Sequence, residues 1–287
     1  MTEPVTICEV GPRDGLQNEP GTIPTADKIA LVARAVAAGL RQIEVTSFVS
    51  PRAVPQLADA AEVMAGVGRV PGVAITALVP NETGYARARA AGVDRVAVFA
   101  SATEGFSRAN INCSIDESFA RFAPVFRAAR ADGIPVRGYV SCVTDCPYEG
   151  RVATAAVAAV AGRLLAEGAA EVSLGETLGR GTPDQVAAML DAVLKVVPAA
   201  RLAGHFHDTG GGALANVDVA LARGLRVFDA ALGGLGGCPY APGAAGNLAT
   251  EALVAHLHRL GHATGVDAGL LAGAARFARS LKRGAEA

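Results

Sequence analysis

The sequence predicts an α/β fold of the (β/α)8 TIM-barrel class, and three observations support this prediction. Eight short runs rich in β-branched residues recur along the 287 residues, at spacings that suit a repeated strand–loop–helix–loop unit. The stretches between these runs have the periodicity of amphipathic helices. No G-x-G-x-x-G pattern follows the first run, which disfavours the alternative, an open doubly wound sheet that binds a dinucleotide. We therefore expect one barrel domain over residues 1–287.

The predicted strands are apolar runs that become polar towards their carboxyl ends. They comprise residues 5–10, 41–47, 72–80, 94–101, 135–142, 170–177, 200–208 and 225–234. The clearest helices between them comprise residues 26–38, 114–131, 152–167, 183–197 and 213–223, and a last helix is expected after residue 260. Several helices end in a glycine, which supplies the left-handed backbone that turns the chain back towards the sheet. These glycines are Gly39, Gly92, Gly133, Gly168 and Gly224.

The composition limits the class of protein. Hydrophobic residues make up 51% of the chain and charged residues 18%, which suits a large core and not a disordered chain. A net charge of −1 gives no indication of a nucleic-acid or membrane partner. The five cysteines are irregularly spaced, so we expect a reducing cytoplasm and no disulfide framework. Cys142 and Cys146 could form a metal or redox pair, but no second pair completes a structural zinc site.

Two histidines occupy the carboxyl end of the seventh predicted strand. His205 and His207 are two positions apart, so their side chains lie on the same side of the strand. On an outer face they would contact a helix, whereas on the inner face both rings would enter one pocket. Asp14 follows the first strand and Asn247 the eighth, and barrel closure brings both beside the seventh. Two imidazoles, a carboxylate and an amide oxygen favour Mg²⁺ or Mn²⁺, with Zn²⁺ less favoured.

Further polar residues mark the same predicted rim, where active sites of such barrels lie. Arg13 follows the first strand, and Glu44 and Ser47 belong to the second. Glu176 and Thr177 end the sixth strand. A glycine-rich loop after the eighth strand, at residues 233–246, contains Cys238.

Five stretches of the sequence together identify a family. They are EVGPRDGLQNE (9–19), IEVTSFVSPRAVPQLADA (43–60), NINCSIDESF (110–119), RGYVSCVTDCPYEG (137–150) and GGLGGCPYAPGAAGNLATE (233–251). The chain resembles the 3-hydroxy-3-methylglutaryl-CoA lyases almost from end to end. The resemblance implies cleavage of 3-hydroxy-3-methylglutaryl-CoA (HMG-CoA) to acetyl-CoA and acetoacetate. It also implies a divalent cation held by Asp14, His205, His207 and Asn247, which are the four residues indicated by the strand pattern.

The resemblance assigns further roles and also has two departures. Arg13, Glu44 and Cys238 match functional positions of the family, with Cys238 in a loop that closes over the substrate. Glu176 stands where the family usually has aspartate, and Thr209 with the three following glycines replaces a usual tyrosine. Both departures bear on which acyl-CoA is cleaved. The resemblance also suggests a homodimer.

We expect Glu176 to act in catalysis and three further residues to contact the substrate, in addition to Arg13. These are Ser47, Asn110 and Thr177. Arg52 and Arg108 are candidates for contacts to the CoA phosphates, although solvated helix-end charges explain them better.

The chemistry implied is a retro-Claisen cleavage, in which a tertiary hydroxyl loses its proton and a thioester enolate is then protonated. The residues leave two candidates for the base, His205 and Asp14. Arg13 is placed to stabilise the enolate oxygen, a role that is compatible with a salt bridge to Glu44. Cys238 is the candidate proton donor. A Schiff-base aldolase is excluded because the only lysines, at positions 28, 195 and 282, fall on helices or in the tail.

Three other functions remain open from the sequence. A condensing synthase of the isopropylmalate or homocitrate type is related in chemistry, but usually carries an added C-terminal region. A lyase for a different branched 3-hydroxyacyl-CoA is suggested by Glu176 and the glycines at 210–212. A non-catalytic binding barrel would be expected to lack a metal ligand, Arg13 or Cys238, and all are present.

Overall fold

Eight parallel strands close into a barrel, which confirms the predicted fold class and excludes the open sheet. The structure is a computed structural model that describes residues 3–17, 19, 21–238 and 241–283, without the side chains of residues 237–245 and 283. The barrel strands are β1 (Thr6–Glu9), β2 (Gln42–Ser47), β3 (Ala74–Leu78), β4 (Arg95–Ser101), β5 (Val136–Ser141), β6 (Glu171–Glu176), β7 (Leu202–Phe206) and β8 (Val227–Ala230). Each strand pairs with its neighbours along the chain, and β1 closes the barrel against β8. Every predicted strand run contains one of these strands.

Helices connect the strands and cover the barrel. They are α1 (Thr25–Ala37), α2 (Ala60–Val67), α3 (Glu82–Ala90), α4 (Glu104–Ile111), α5 (Ile115–Asp132), α6 (Thr154–Glu167), α7 (Pro183–Val193), α8 (Ala213–Ala222), α9 (Thr250–Arg259) and α10 (Ala268–Arg283). The helix predicted over 183–197 extends too far, because α7 ends at Val193 and Pro198 disfavours helical backbone at the preceding residue. In the described part of the chain, no helix combines the length and the hydropathy that a membrane crossing requires.

Local sequence signals set where the elements begin and end. A reciprocal capping box of Ser114 and Glu117 begins α5, and Thr182 with Gln185 forms the same motif ahead of α7. The five glycines predicted to follow helices all have positive φ, from 69° to 111°. This left-handed backbone is unstrained only for glycine, so these positions fix the return of each helix to the sheet.

The barrel has an aliphatic exterior and a polar interior. The outward faces of the strands pack against the helices in one hydrophobic core that includes Ile43, Val96 and Leu174. The interior instead buries Arg137 and Asp229, with 0% and 2% of their surfaces exposed. Burying charged groups is unfavourable unless they are paired and hydrogen-bonded, so this interior requires a closed network of partners. That network lies directly beneath the carboxyl rim of the barrel.

Candidate active site

Three potential metal ligands meet at the carboxyl rim. One ligand atom from each of Asp14, His205 and His207 lies within 4.8 Å of the others. Asp14 belongs to a single π-helical turn, Gly11–Gly15, that follows β1, whereas His205 is the penultimate residue of β7 and His207 follows that strand. The two imidazole rings have centroids 5.3 Å apart. The structure therefore brings both histidines into one pocket with a carboxylate from a neighbouring part of the rim.

Asn247 reaches this cluster from the connection after β8. Its backbone forms a bridge with that of His207, and its Nδ2 donates to Asp14 Oδ2 at 2.8 Å and to the Leu235 carbonyl at 3.1 Å. The nitrogen and oxygen of an amide are assigned from its hydrogen bonds. Rotation of the amide by half a turn therefore exchanges a donor for an oxygen ligand without moving the backbone.

The carboxylate of Asp14 is held in its ionised form. Burial alone would raise its pKa, but the charges of Arg13 and the two histidines, with the hydrogen bond from Asn247, lower the pKa to about 2. Arg13 donates to Asp14 Oδ1 at 2.6 Å. An anionic oxygen is thus available at neutral pH.

The two imidazoles have different surroundings. His207 Nδ1 is buried and has no hydrogen-bond partner among the described residues, while the backbone of Thr177 bonds to the same ring. Burial, with the nearby His205, lowers the pKa of His207 to about 4. Burial also opposes the charge on His205, but its hydrogen bond to Asp229 raises the pKa. A neutral imidazole with an unpartnered nitrogen, facing an ionised carboxylate, fits a divalent cation.

Arg13 and Glu44 form a buried ion pair beside this cluster. Arg13 Nε donates to Glu44 Oε1, and the Tyr139 hydroxyl donates to Glu44 Oε2 at 2.6 Å. Only 6% of Arg13 is exposed, and its guanidinium carbon lies 5.6 Å from the centroid of the Tyr139 ring. The salt bridge weighed in the sequence analysis is therefore present. This salt bridge fixes the position of the Arg13 guanidinium beside the carboxylate of Asp14, which is the next residue in the sequence.

Glu176 ends β6 and is completely buried. Its Oε1 accepts hydrogen bonds from the Thr144 hydroxyl at 3.1 Å and from the Arg180 amide at 3.4 Å. Its Oε2 is buried with no partner in the described part of the chain. Burial raises the pKa of this carboxyl group, against the hydrogen bonds that lower it. The contacts direct one oxygen towards the β6–α7 connection and leave the other free.

The predicted substrate contacts are distributed differently. Ser47 is buried at the end of β2 and accepts from the Val49 amide at 3.3 Å. Thr177 Oγ1 accepts from the Cys142 amide at 2.9 Å, which holds Cys142 at a φ of 61°. Asn110 is exposed on α4, and the described contacts do not link it to the cluster. Its role as a substrate contact stays a prediction.

The two arginines considered for CoA are both exposed. Arg108 forms a 3.6 Å ion pair with Glu104 on the same helix, as a solvated helix-surface charge does. Arg52 lies in a turn after β2, where its amide bonds to Ser50 Oγ at 3.3 Å. Neither contact distinguishes a phosphate-binding role from a surface charge.

Cys238 lies in a two-stranded ribbon, in which Gly237–Cys238 pairs with Ala241–Ala245. Its side chain lies outside the described residues, so its proposed proton transfer stays a prediction. The preceding Gly236 has a φ of 94°, and a Cβ there would lie 2.8 Å from Asn247 Nδ2. A glycine is needed at this point for the chain to run close against the metal ligands.

The sequence analysis missed three residues that support the site. Arg137 and Tyr139 on β5 and Asp229 on β8 lie inside the barrel and bond to one another or to the rim residues. Arg137 and Tyr139 are two positions apart, so they share a face in the same way as His205 and His207. That spacing was the available signal. Asp229 had no comparable signal, because its partners come from other strands.

Comparison with known proteins identifies the family. The HMGL-like family model matches residues 4–277. The chain belongs to the HMGL-like family. The resemblance stated in the sequence analysis is thereby confirmed.

Similar members of the HMGL-like family are named as lyases. Hydroxymethylglutaryl-CoA lyase of Pseudomonas mevalonii is 56% identical over 263 residues, which cover 92% of this chain and 87% of that protein. The crystal structure of the HMG-CoA lyase from Brucella melitensis has a TM-score of 0.97 and 58% identity, covering 98% of this chain and 100% of that one. An HMG-CoA lyase from Acinetobacter baumannii in complex with coenzyme A and 3-methylmalate has a TM-score of 0.93 and 37% identity, covering 99% of this chain and 93% of that one.

Proposed function

We propose that this chain is a metal-dependent carbon–carbon lyase that cleaves HMG-CoA to acetyl-CoA and acetoacetate. The observation that carries the proposal is the convergence of Asp14, His205 and His207, with ligand atoms within 4.8 Å, beside the buried Arg13–Glu44 pair. The HMG-CoA lyases that are more than half identical over most of this chain support the same reaction.

The cation would be Mg²⁺ or Mn²⁺, held by Asp14, His205, His207 and Asn247. Oxygen and imidazole ligands without thiolate favour these ions, and the unpartnered Nδ1 of His207 fits such a ligand set. When bound, the ion lowers the pKa of a substrate hydroxyl, as it does for bound water.

The two candidates for the base, His205 and Asp14, are also candidate ligands of the cation. Asp14 accepts a hydrogen bond from Arg13, and its pKa of about 2 makes it a weak base. Nδ1 of His205 lies 3.1 Å from Asp229, so Nε2 is the nitrogen that is left to bind the cation, and the same lone pair does not also accept the proton of the substrate hydroxyl while it binds the ion. We therefore assign the base to neither residue.

Arg13 would stabilise the enolate oxygen that develops as the carbon–carbon bond breaks. Its guanidinium is always charged, and Glu44 and Asp14 fix its orientation. A fixed donor aimed at developing charge in a site without water contributes several kcal/mol. Cys238, in the loop that follows β8, is proposed to deliver the proton that converts the enolate to acetyl-CoA.

A Schiff-base mechanism has no lysine in contact with the candidate metal ligands to support it. Lys28 on α1 pairs with Asp59 at 2.8 Å, and Lys282 on α10 donates to the Gly234 carbonyl at 3.0 Å. Lys195 lies just beyond the end of α7. Each lysine therefore lies on or next to a helix, and the described contacts join none of them to Asp14, His205 or His207.

The second candidate function is a lyase that cleaves a different branched 3-hydroxyacyl-CoA. The observation that favours it is the free, buried Oε2 of Glu176, at a position where the family usually carries the shorter aspartate.

We further propose a homodimer and a cytoplasmic location. No part of the proposal involves a nucleic-acid or membrane partner.

The test is a cleavage assay with purified protein. HMG-CoA and a panel of other branched 3-hydroxyacyl-CoA thioesters are each incubated with Mn²⁺, with Mg²⁺ or with EDTA, and acetoacetate and acetyl-CoA are quantified. We expect both products from HMG-CoA, abolished by EDTA and restored by added Mn²⁺. Preferential turnover of another thioester would favour the second candidate. Turnover of no thioester would reject the lyase proposal.

A further inference from the structure

A fully buried guanidinium lies beneath the candidate metal site. Arg137 is on β5 with 0% of its surface exposed, and its side chain reaches acceptors on four strands. Nε donates to Glu171 at 2.6 Å and Nη2 to Asp229 at 2.6 Å. Nη1 donates to the Tyr139 hydroxyl oxygen at 2.8 Å and lies 3.6 Å from the sulfur of Cys8. Arg137 therefore contacts both Asp229 and Tyr139, and a chain of hydrogen bonds connects each of these residues to the rim.

The first connection runs to His205. Asp229 accepts from Arg137 through Oδ1, and its Oδ2 accepts from the Ser173 hydroxyl at 2.8 Å and from His205 Nδ1 at 3.1 Å. A carboxylate that is paired with arginine only accepts hydrogen bonds. The hydrogen of neutral His205 must therefore lie on Nδ1, and its Nε2 lone pair faces away from Asp229.

The second connection runs through Tyr139 and Glu44 to Arg13. Arginine only donates, so the Tyr139 oxygen accepts from Arg137 and its single proton must point to Glu44 Oε2, 2.6 Å away. Glu44 Oε1 in turn accepts from Arg13, and Arg13 donates to Asp14 Oδ1 at 2.6 Å. An arginine at each end of this chain, Arg137 and Arg13, only donates, and this fixes the direction of every hydrogen bond between them.

We propose that Arg137 is a positioning residue that sets the orientation of both halves of the site, His205 through Asp229 and Arg13 through Tyr139 and Glu44. The inference rests on the proposed metal centre and assigns a role to residues that do not themselves contact the substrate. Its physical basis is that two hydrogen-bond chains start from the same planar guanidinium, which is the donor in both.

Stability alone does not account for this arrangement. A buried ion pair often stabilises a fold no more than well-packed apolar side chains of similar volume do. An arginine is also required by shape, because a lysine ammonium cannot present separate donors to Glu171, Tyr139 and Asp229 in one plane. The contribution of the guanidinium is to fix the hydrogen-bond geometry at both ends of the network.

Three variants separate the two connections. Asp229→Asn changes only the connection to His205, Tyr139→Phe only the connection to Glu44, and Arg137→Lys both. The first readout is the dissociation constant of Mn²⁺ without substrate, measured by electron paramagnetic resonance. The second is kcat at saturating Mn²⁺ and HMG-CoA. Far-UV circular dichroism and thermal melting verify that each variant is folded.

We expect Asp229→Asn and Arg137→Lys to weaken Mn²⁺ binding by about 10- to 100-fold, as loss of an orienting partner does. Tyr139→Phe should lower kcat and leave the Mn²⁺ dissociation constant within about twofold of the wild-type value. Lys28→Met is the matched control, because it breaks another ion pair of a buried cationic side chain, with Asp59, and neither residue contacts the Arg137 network in the described contacts. It should lower the melting temperature and leave Mn²⁺ affinity unchanged.

Folded Asp229→Asn and Arg137→Lys proteins that bind Mn²⁺ as tightly as the wild type would overturn the inference. If Arg137→Lys does not fold, the ¹⁵N chemical shifts of His205 in metal-free wild-type protein, at a pH where the ring is neutral, provide a test without a variant. Hydrogen on Nδ1 supports the inference, and hydrogen on Nε2 contradicts it. Failure of the wild-type protein to bind Mn²⁺ would instead reject the proposed metal centre.

Discussion

The Asn247 amide donates to the carboxylate of Asp14 at 2.8 Å, across 233 positions of the sequence. Closure of the barrel produces this contact, because β8 lies against β1 and the connections that follow both strands meet at one rim. The contact is the link between the turn that carries Arg13 and the loop that carries Cys238.

Removal of a metal ligand is expected to reduce Mn²⁺ affinity more than loss of an orienting partner. His207→Ala should therefore weaken Mn²⁺ binding by at least about 100-fold. Asn247→Ala removes one of four ligands and should also weaken binding. His258→Ala is the control, because His258 is exposed on α9. Unchanged Mn²⁺ titrations of both ligand variants would contradict the assigned site.

Substitution of Arg13 tests its role towards the enolate. Arg13→Gln keeps much of the side-chain volume but removes the charge, and kcat at saturating Mn²⁺ and HMG-CoA should fall by about 100- to 1,000-fold. Arg41→Gln removes an arginine that bonds only to nearby carbonyls in the described contacts, and serves as the control. A fall in Arg13→Gln of less than tenfold would show that Arg13 is not the electrophile.

Glu9 gives the fold a specific dependence on pH. It is fully buried, and it accepts from the amides of Gly11 and Leu232 and from the Thr250 hydroxyl, at 2.6 to 2.9 Å. Burial raises its pKa from 4.5 to about 7, although these hydrogen bonds oppose the shift. The folded state therefore favours the protonated form. The resulting stabilisation is complete below pH 4.5 and is lost as the pH rises to about 7.

Glu9→Gln should remove this pH dependence. The amide oxygen can still accept from both backbone amides, and its NH₂ group can donate to the Thr250 hydroxyl. The free energy of unfolding of the variant, relative to wild type, should increase by up to about 3 kcal/mol between pH 5 and pH 8. Urea denaturation at both values measures it, with exposed Glu62→Gln as control. An equal decline in Glu9→Gln and wild type would disprove the assignment.

Glu176→Asp restores the residue usual in the family. The shorter side chain withdraws from the Thr144 hydroxyl and the Arg180 amide, so we expect a loss of about 1–2 kcal/mol of stability. The ratio of kcat/KM for HMG-CoA over other branched 3-hydroxyacyl-CoA thioesters should rise. Glu149→Asp makes the same change at an exposed position. An unchanged ratio would remove Glu176 from the determinants of specificity.

Much of this molecule could be predicted from local sequence patterns. Strand and helix order followed from periodicity. The spacing of His205 and His207 placed both rings on one side of a strand, and the positions of Asp14 and Asn247 favoured the inner side. The helix over 183–197 was predicted too long, because apolar periodicity continues past Val193 although the helix does not. Apolar periodicity identifies the buried face of a helix more reliably than it identifies the residue at which the helix ends.

The supporting network could not be predicted in the same way. Arg137, Tyr139 and Asp229 acquire their roles from partners on other strands, and those contacts depend on strand register and on the direction of each side chain in a closed barrel. The orientation of Glu176 likewise depends on the connection that packs over it, where a Cβ at Gly181 would lie 2.8 Å from Glu176 Cγ. Such relationships are set by tertiary structure.

The proposed chemistry depends on one divalent cation bound by four residues, Asp14, His205, His207 and Asn247. The most direct measurement is anomalous X-ray diffraction from crystals of the protein grown with Mn²⁺. We expect a single strong anomalous peak about 2.0–2.3 Å from a carboxylate oxygen of Asp14, a nitrogen of each imidazole and the Asn247 amide oxygen. A peak bound by other residues, or no peak at a Mn²⁺ concentration that supports turnover, would contradict it.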